Sequence, residues 1–247
     1  MLDSVKKAFA LFPKALQLLY IIAAVNIVTN IINILTIPAP VDAEMTLGRS
    51  LFVIALFFLY GAITLFIGAG MLGYVKELVK NGASTIASFT ANGKKYFLKV
   101  LALTILMLIA VGIVAAIFLL LGKVVPGALK PVLAILAVLA GIILAILLLL
   151  APYALVGSEL GVIASIKKSV QVGRKGFLNI IVVVLVLFLV SLAILIAASF
   201  LSGILSLILK PLARYVVAII MAIVSSIIWI LANIAYMNLY LKLESAQ

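Results

Sequence analysis

The sequence predicts an all-α integral membrane protein, a bundle of six transmembrane helices. Of its 247 residues 68% are hydrophobic, and the mean hydropathy is +1.50. Charged residues make up only 10% and sit between the apolar runs. Soluble domains are about 45–50% apolar. A soluble core of this size has no room for so much apolar surface, so hydrocarbon must take the place of water around most of the chain.

A span needs about 20 apolar residues at ~1.5 Å rise each. Six segments qualify: 16–37, 50–72, 97–121, 131–152, 177–201 and 211–241. The last is over-long and is expected to tilt or protrude. An N-terminus on the inner side leaves thirteen basic residues inside (Lys6, Lys7, Lys14, Lys76, Lys80, Lys94, Lys95, Lys99, Lys167, Lys168, Arg174, Lys175 and Lys242). Five lie outside: Arg49, Lys123, Lys130, Lys210 and Arg214. The positive-inside rule then places both termini of a multi-pass membrane protein in the cytoplasm. Lys6, Lys7 and Lys14 before an apolar run resemble a signal peptide, but the run exceeds an ordinary h-region and cleavage is not expected.

The net charge of +12 comes from 18 basic and six acidic residues. Because the basic residues flank spans, the expected partner is the anionic headgroup layer at the cytoplasmic face, not nucleic acid. A membrane-protein partner or a second copy of the chain is a further expectation. Cysteine and histidine are absent from the sequence. That removes thiolate and imidazole metal sites, thiol redox chemistry, and Cys/His or Ser/His catalysis. No cofactor and no enzymatic role are expected.

The chain reads as one domain with an internal repeat of about 80 residues. Gly93, Lys94 and Lys95, followed by Phe97 and Leu98, match Gly173, Arg174 and Lys175, followed by Phe177 and Leu178. Leu129, Lys130 and Pro131 match Leu209, Lys210 and Pro211 at the same offset. A fainter copy places Ser4, Lys6 and Lys7 on Ser165, Lys167 and Lys168. The units fall at about 1–74, 75–154 and 155–247, each an interfacial amphipathic helix followed by a helical hairpin.

The first amphipathic segment sets Leu2, Val5, Phe9, Phe12 and Leu16 against Lys6, Lys7 and Lys14, with Asp3 as a candidate N-cap. The second sets Val75, Leu78, Val79, Ile86 and Phe89 against Lys76, Glu77 and Lys80, with Glu77 and Lys80 spaced to pair. The third sets Ile163, Ile166 and Val170 against Lys167 and Lys168, then Arg174 and Lys175. Such helices lie in the interface plane, where each basic residue near an anionic leaflet contributes about 1 kcal/mol. The candidate headgroup contacts are therefore Lys6, Lys7, Lys14, Lys94, Lys95, Lys167, Lys168, Arg174 and Lys175.

The middles of the spans carry no Asp, Glu, Lys or Arg, which argues against ion-coupled transport through a carboxylate. Glu159 falls at the end of the fourth span and reads as an interfacial charge. Asn26, Asn30 and Asn33 share an arc of roughly 60° on the first span. Tyr60 lies in the second span, and Asn233 and Tyr236 in the sixth. This set either hydrogen-bonds helices together or lines a path for a small uncharged or zwitterionic solute. The glycines at 61, 68, 70, 73, 157 and 161 permit close helix contact.

Ala151, Pro152 and Tyr153, then Ser165, Ile166, Lys167, Lys168 and Ser169, and finally Arg174, Lys175, Gly176, Phe177 and Leu178 carry a family resemblance. This stretch resembles poorly characterised prokaryotic membrane proteins related to the membrane domain fused to some glycerophosphodiester phosphodiesterases. The resemblance is clearest over 140–200 and implies a multi-helix membrane module without catalysis of its own; with the charge bias it implies a place in the inner (cytoplasmic) membrane. The phosphodiesterase barrel has no counterpart here, so no active site is carried over. Two functions follow as expectations: a lipid-interacting or partner-binding membrane module, or a permeation protein with a polar-lined path.

Overall fold

In the computed structural model the chain folds as helices joined by short connections, and no strand occurs among the described residues. It describes residues 2–36 and 47–246, apart from the side chains of 33–36, 47, 49, 50 and 211. Residues 37–46 and the side chain of Asn33 lie outside the described residues. Nine helices are described: α1 (Asp3–Leu11), α2 (Leu16–Thr36), α3 (Leu47–Asn81), α4 (Ile86–Val124), α5 (Lys130–Leu148), α6 (Ala151–Gly157), α7 (Val162–Lys175), α8 (Phe177–Leu209) and α9 (Ala213–Ser245).

Six helical stretches are long and apolar enough to cross a membrane, as the sequence predicts. The chain is a multi-pass helical membrane protein. Several helices outrun the ~20 residues a bilayer requires: α4 has 39 residues and α9 has 33. The fourth crossing is broken. Pro152 has no N–H to donate to the carbonyl of Leu148, so α5 ends there and α6 restarts at Ala151. The carbonyl of Leu147, left near the end of α5, accepts a 2.6 Å hydrogen bond from Ser169 Oγ of α7.

Packing is concentrated at one end. In α3 the buried residues run from Ile67 to Val79, whereas Leu51 to Ile63 is largely exposed. In α4 Phe89, Tyr96, Val100 and Leu103 are buried, and none of its most apolar stretch is. In α9 burial is densest from Ile230 to Tyr240. Both termini belong to this end, where Lys242 Nζ meets Asp3 Oδ2 at 2.9 Å. The far halves of the hairpins are sheathed in exposed Leu, Ile, Val and Phe. That surface suits lipid tails, which solvate leucine as well as another leucine does. Helix α9 is the hub, in contact with α1, α2, α3, α6, α7 and α8.

The amphipathic segments depart from expectation in an instructive way. α1 buries Ser4, Val5, Ala8 and Leu11 against the bundle, while Leu2 and Phe9 stay exposed. Alanine weighs little in a hydropathy pattern, yet Ala8 and Ala15 are the positions where another helix approaches closely. Asp3 is not the N-cap: Leu2 holds that position without a side-chain bond. The second segment is no separate helix. α3 continues unbroken to Asn81, Gly82 turns the chain at φ +75°, and α4 starts after Thr85, whose hydroxyl accepts from the Ser88 N–H as an N-cap. Val75, Leu78, Val79 and Phe89 are therefore buried in the bundle. The third segment is a distinct helix, α7, but its buried residues are Ser165, Ser169, Val172 and Gly173, and Ile163 points outward.

Candidate functional site at the basic end

The packed end gathers the ends of all six crossings, and its charges fall into two groups. The first group is engaged. Lys76 and Lys95 reach Glu159 at 2.8 and 3.3 Å, joining α3 and α4 to the loop between α6 and α7. Glu159 sits at φ 53°, a left-handed conformation unusual for a residue with a Cβ. Its hydrogen bonds from Lys76 and Lys95, backed by the charge of both ammonium groups, hold its carboxyl down to about 2. It lies outside the six apolar helical stretches.

Lys7 Nζ donates to the carbonyl of Val79 at 3.3 Å, and Lys14 Nζ to that of Gly82 at 3.0 Å. Both therefore cap the C-terminal end of α3, where carbonyls lack intrahelical partners and the helix dipole favours a cation. Tyr74 Oη, from α3 itself, donates back to the Lys14 carbonyl at 3.1 Å. Glu77 does not pair with Lys80 among the described residues. It accepts from Ser84 Oγ at 3.0 Å and Asn92 Nδ2 at 3.2 Å, fastening α4 to α3. Ser158, Tyr240 and Glu244 form a further knot, with Ser158 and Tyr240 hydroxyls 2.7 Å apart and both within reach of Glu244 Oε1. Two hydroxyl protons serve these three contacts, so only two of them are hydrogen bonds at any moment.

The second group is exposed: Lys6, Lys94, Lys167, Arg174 and Lys175 make no ion pair among the described residues. Three of them lie on α7, which the Ser169 bond and the contact of Gly173 with Leu147 pin to the bundle. A Cβ on Gly173 would sit 3.3–3.7 Å from Leu147, so the two helices are already in contact. Lys168 is half-buried on the same helix.

The polar residues of the spans are distributed over several contacts. Asn26 Nδ2 of α2 donates to Ser226 Oγ of α9 at 2.9 Å, and Ser226 in turn donates to the Ala222 carbonyl at 2.7 Å. Asn30 is half-buried on the same helix. Asn233 accepts from Tyr153 Oη at 3.0 Å, and Tyr236 packs its ring 5.8 Å from that of Tyr153. Tyr60 stands apart, 42% exposed in an open groove of about 590 Å³ between α2 and α3 that Val25, Val28, Thr29 and Phe57 also line. Asn26 and Asn233 thus face helices, while Tyr60 faces the groove.

Sequence reasoning missed the roles of Ser169, Asn92, Ser158 and Tyr240. Each makes a contact with a residue at least 15 positions away, which no local pattern encodes. Comparison of the chain with protein families, with curated proteins and with solved structures finds no match.

Proposed function

We propose that this protein is a non-enzymatic membrane module that binds anionic lipid headgroups at its basic, cytoplasmic end. The observation that carries the reading is α7: a helix fixed to the bundle through Ser169 and Gly173 that leaves Lys167, Arg174 and Lys175 exposed and without ion pairs among the described residues. Because the helix that carries these cations is already ordered, a phosphate need not order the backbone on arrival, and each cation contributes about 1 kcal/mol near an anionic surface. The module implied by the resemblance to phosphodiesterase-fused membrane domains agrees with this role. Among the expected headgroup contacts, Lys7, Lys14 and Lys95 belong to the frame, because each already holds a carbonyl or a carboxylate.

A permeation path draws less support. Asn26 donates to Ser226 of α9 and Asn233 accepts from Tyr153 of α6, interhelical hydrogen bonds of about 0.6–2 kcal/mol each.

The test is a thermal-shift titration of the purified full chain with phosphatidylglycerol or phosphatidylcholine. The wild type should be stabilised more by phosphatidylglycerol, and a Lys167→Gln, Arg174→Gln, Lys175→Gln variant should lose that difference while keeping its unliganded midpoint. Equal stabilisation of the wild type by both lipids refutes the reading.

A further inference from the structure

The hairpin of α4 and α5 opens away from the basic end. Between the two helices runs a groove of about 710 Å³, walled by Val114, Phe118, Leu133, Ala137 and Gly141, with Lys130 at its far end. Along α5 the lining extends from Lys130 to Ala145, about 22 Å at 1.5 Å per residue. One leaflet of hydrocarbon is ~15 Å deep. The groove therefore starts at the headgroup level and passes the midplane, the reach of one acyl chain inserted from that side.

We propose that this groove binds one anionic glycerophospholipid, with an acyl chain between α4 and α5 and the phosphate at Lys130. Lys130 is exposed and makes no ion pair among the described residues, and the connection from Gly122 to Lys130 contains no acidic residue. Lys130 also opens α5, whose N-terminal dipole end favours negative charge. The groove is open space: a Cβ placed on Gly141 would meet nothing within 4 Å. The neighbouring α2–α3 groove has no basic side chain in its described lining, so the charged mouth sets the α4–α5 groove apart. This site lies at the opposite end of the molecule from α7 and does not depend on the headgroup reading above.

The test uses the full chain in vesicles, with Phe118→Trp as reporter in a Trp229→Phe background, since Trp229 is the sole tryptophan. Quenching is measured with phosphatidylglycerol or phosphatidylcholine carrying brominated acyl chains. The expected result is an about fivefold preference for the phosphatidylglycerol, the equivalent of ~1 kcal/mol. Lys130→Gln should bring the two lipids to parity. Gly141→Leu, which fills the groove, should weaken quenching by both while helicity is unchanged. Equal quenching without Lys130→Gln, a preference that survives that substitution, or cross-linking that places a second copy in the groove would each overturn the proposal.

Discussion

Tyr153 donates its hydroxyl to the side-chain oxygen of Asn233 at 3.0 Å, joining α6 to α9 inside the core. The two residues are 80 positions apart, the offset at which the basic motifs of the sequence correspond. Asn233 also donates to the Trp229 carbonyl at 2.8 Å, leaving its oxygen dependent on Tyr153.

Tyr153→Phe strips that oxygen of its donor without changing the ring. The expected cost is about 1 kcal/mol, the size of an interhelical hydrogen bond in a membrane protein. Asn233→Leu should cost a similar amount, and the double variant less than the sum, because the second substitution removes a bond already lost. Unfolding in mixed detergent micelles measures all three. Strict additivity would show that the two side chains do not interact.

Gly73 and Gly68 lie on one helix but differ in kind. A Cβ on Gly73 would fall 2.2–2.7 Å from the side chain of Asn92, whereas one on Gly68 would meet nothing within 4 Å. Gly73→Ala is expected to destabilise by about 1–3 kcal/mol through overpacking. Gly68→Ala should be neutral or slightly stabilising, by up to ~1 kcal/mol. Asn92→Ala added to Gly73→Ala should not restore stability, since the Asn92 Cβ, 2.3 Å from the new methyl group, stays in place. A thermal melt of the four chains decides the point.

The spans were legible because hydrocarbon imposes a length and a composition that no other solvent does, and the runs before and after Lys123 or Lys210 obey both. The fourth span is expected to end at Pro152; instead the missing donor there breaks the helix, which restarts at Ala151 and runs to Gly157. The faces of α1 and α7 were not legible. Beside Val5, Leu11 and Val172, their buried positions are Ser4, Ala8, Ser165, Ser169 and Gly173, small or weakly polar residues that hydropathy ranks below Leu2 or Ile163. Inside a membrane-bound bundle close approach and hydrogen bonding decide which face turns inward, and neither leaves a periodic apolar signature. Of the candidate headgroup contacts, the lysines were visible as charges but their division into caps and free cations was not. That division depends on carbonyls about 70 residues away, such as that of Gly82 above Lys14.

The same division separates two classes of variant. Lys7→Gln and Lys14→Gln remove cations from the C-terminal end of α3 and should each lower stability by about 0.3–1 kcal/mol, with the phosphatidylglycerol preference unchanged. Lys167→Gln and Lys175→Gln should do the reverse. Midpoints with and without lipid, measured on the four single variants, separate the outcomes. Loss of lipid preference in Lys14→Gln at unchanged stability would move Lys14 from the frame to the binding surface.

Glu159 supplies a pH dependence whose sign follows from its partners. Its carboxyl is held at about 2, below its ordinary value of 4.5, by hydrogen bonds from Lys76 and Lys95. A carboxylate whose folded-state pKa is depressed contributes stability that is fully present above the unfolded value and is lost as pH falls toward the folded one. The link between α3, α4 and the loop before α7 should therefore be intact above about pH 4.5 and weaken from there to about pH 2. The carboxylate is 56% exposed, so solvent and salt screen it and the contribution is no more than ~1 kcal/mol. Glu159→Gln should lower the unfolding midpoint at neutral pH and flatten the acid limb between those values. Added salt should bring wild type and variant together, and a wild-type acid limb identical to that of Glu159→Gln would show that the two lysines do not hold the loop.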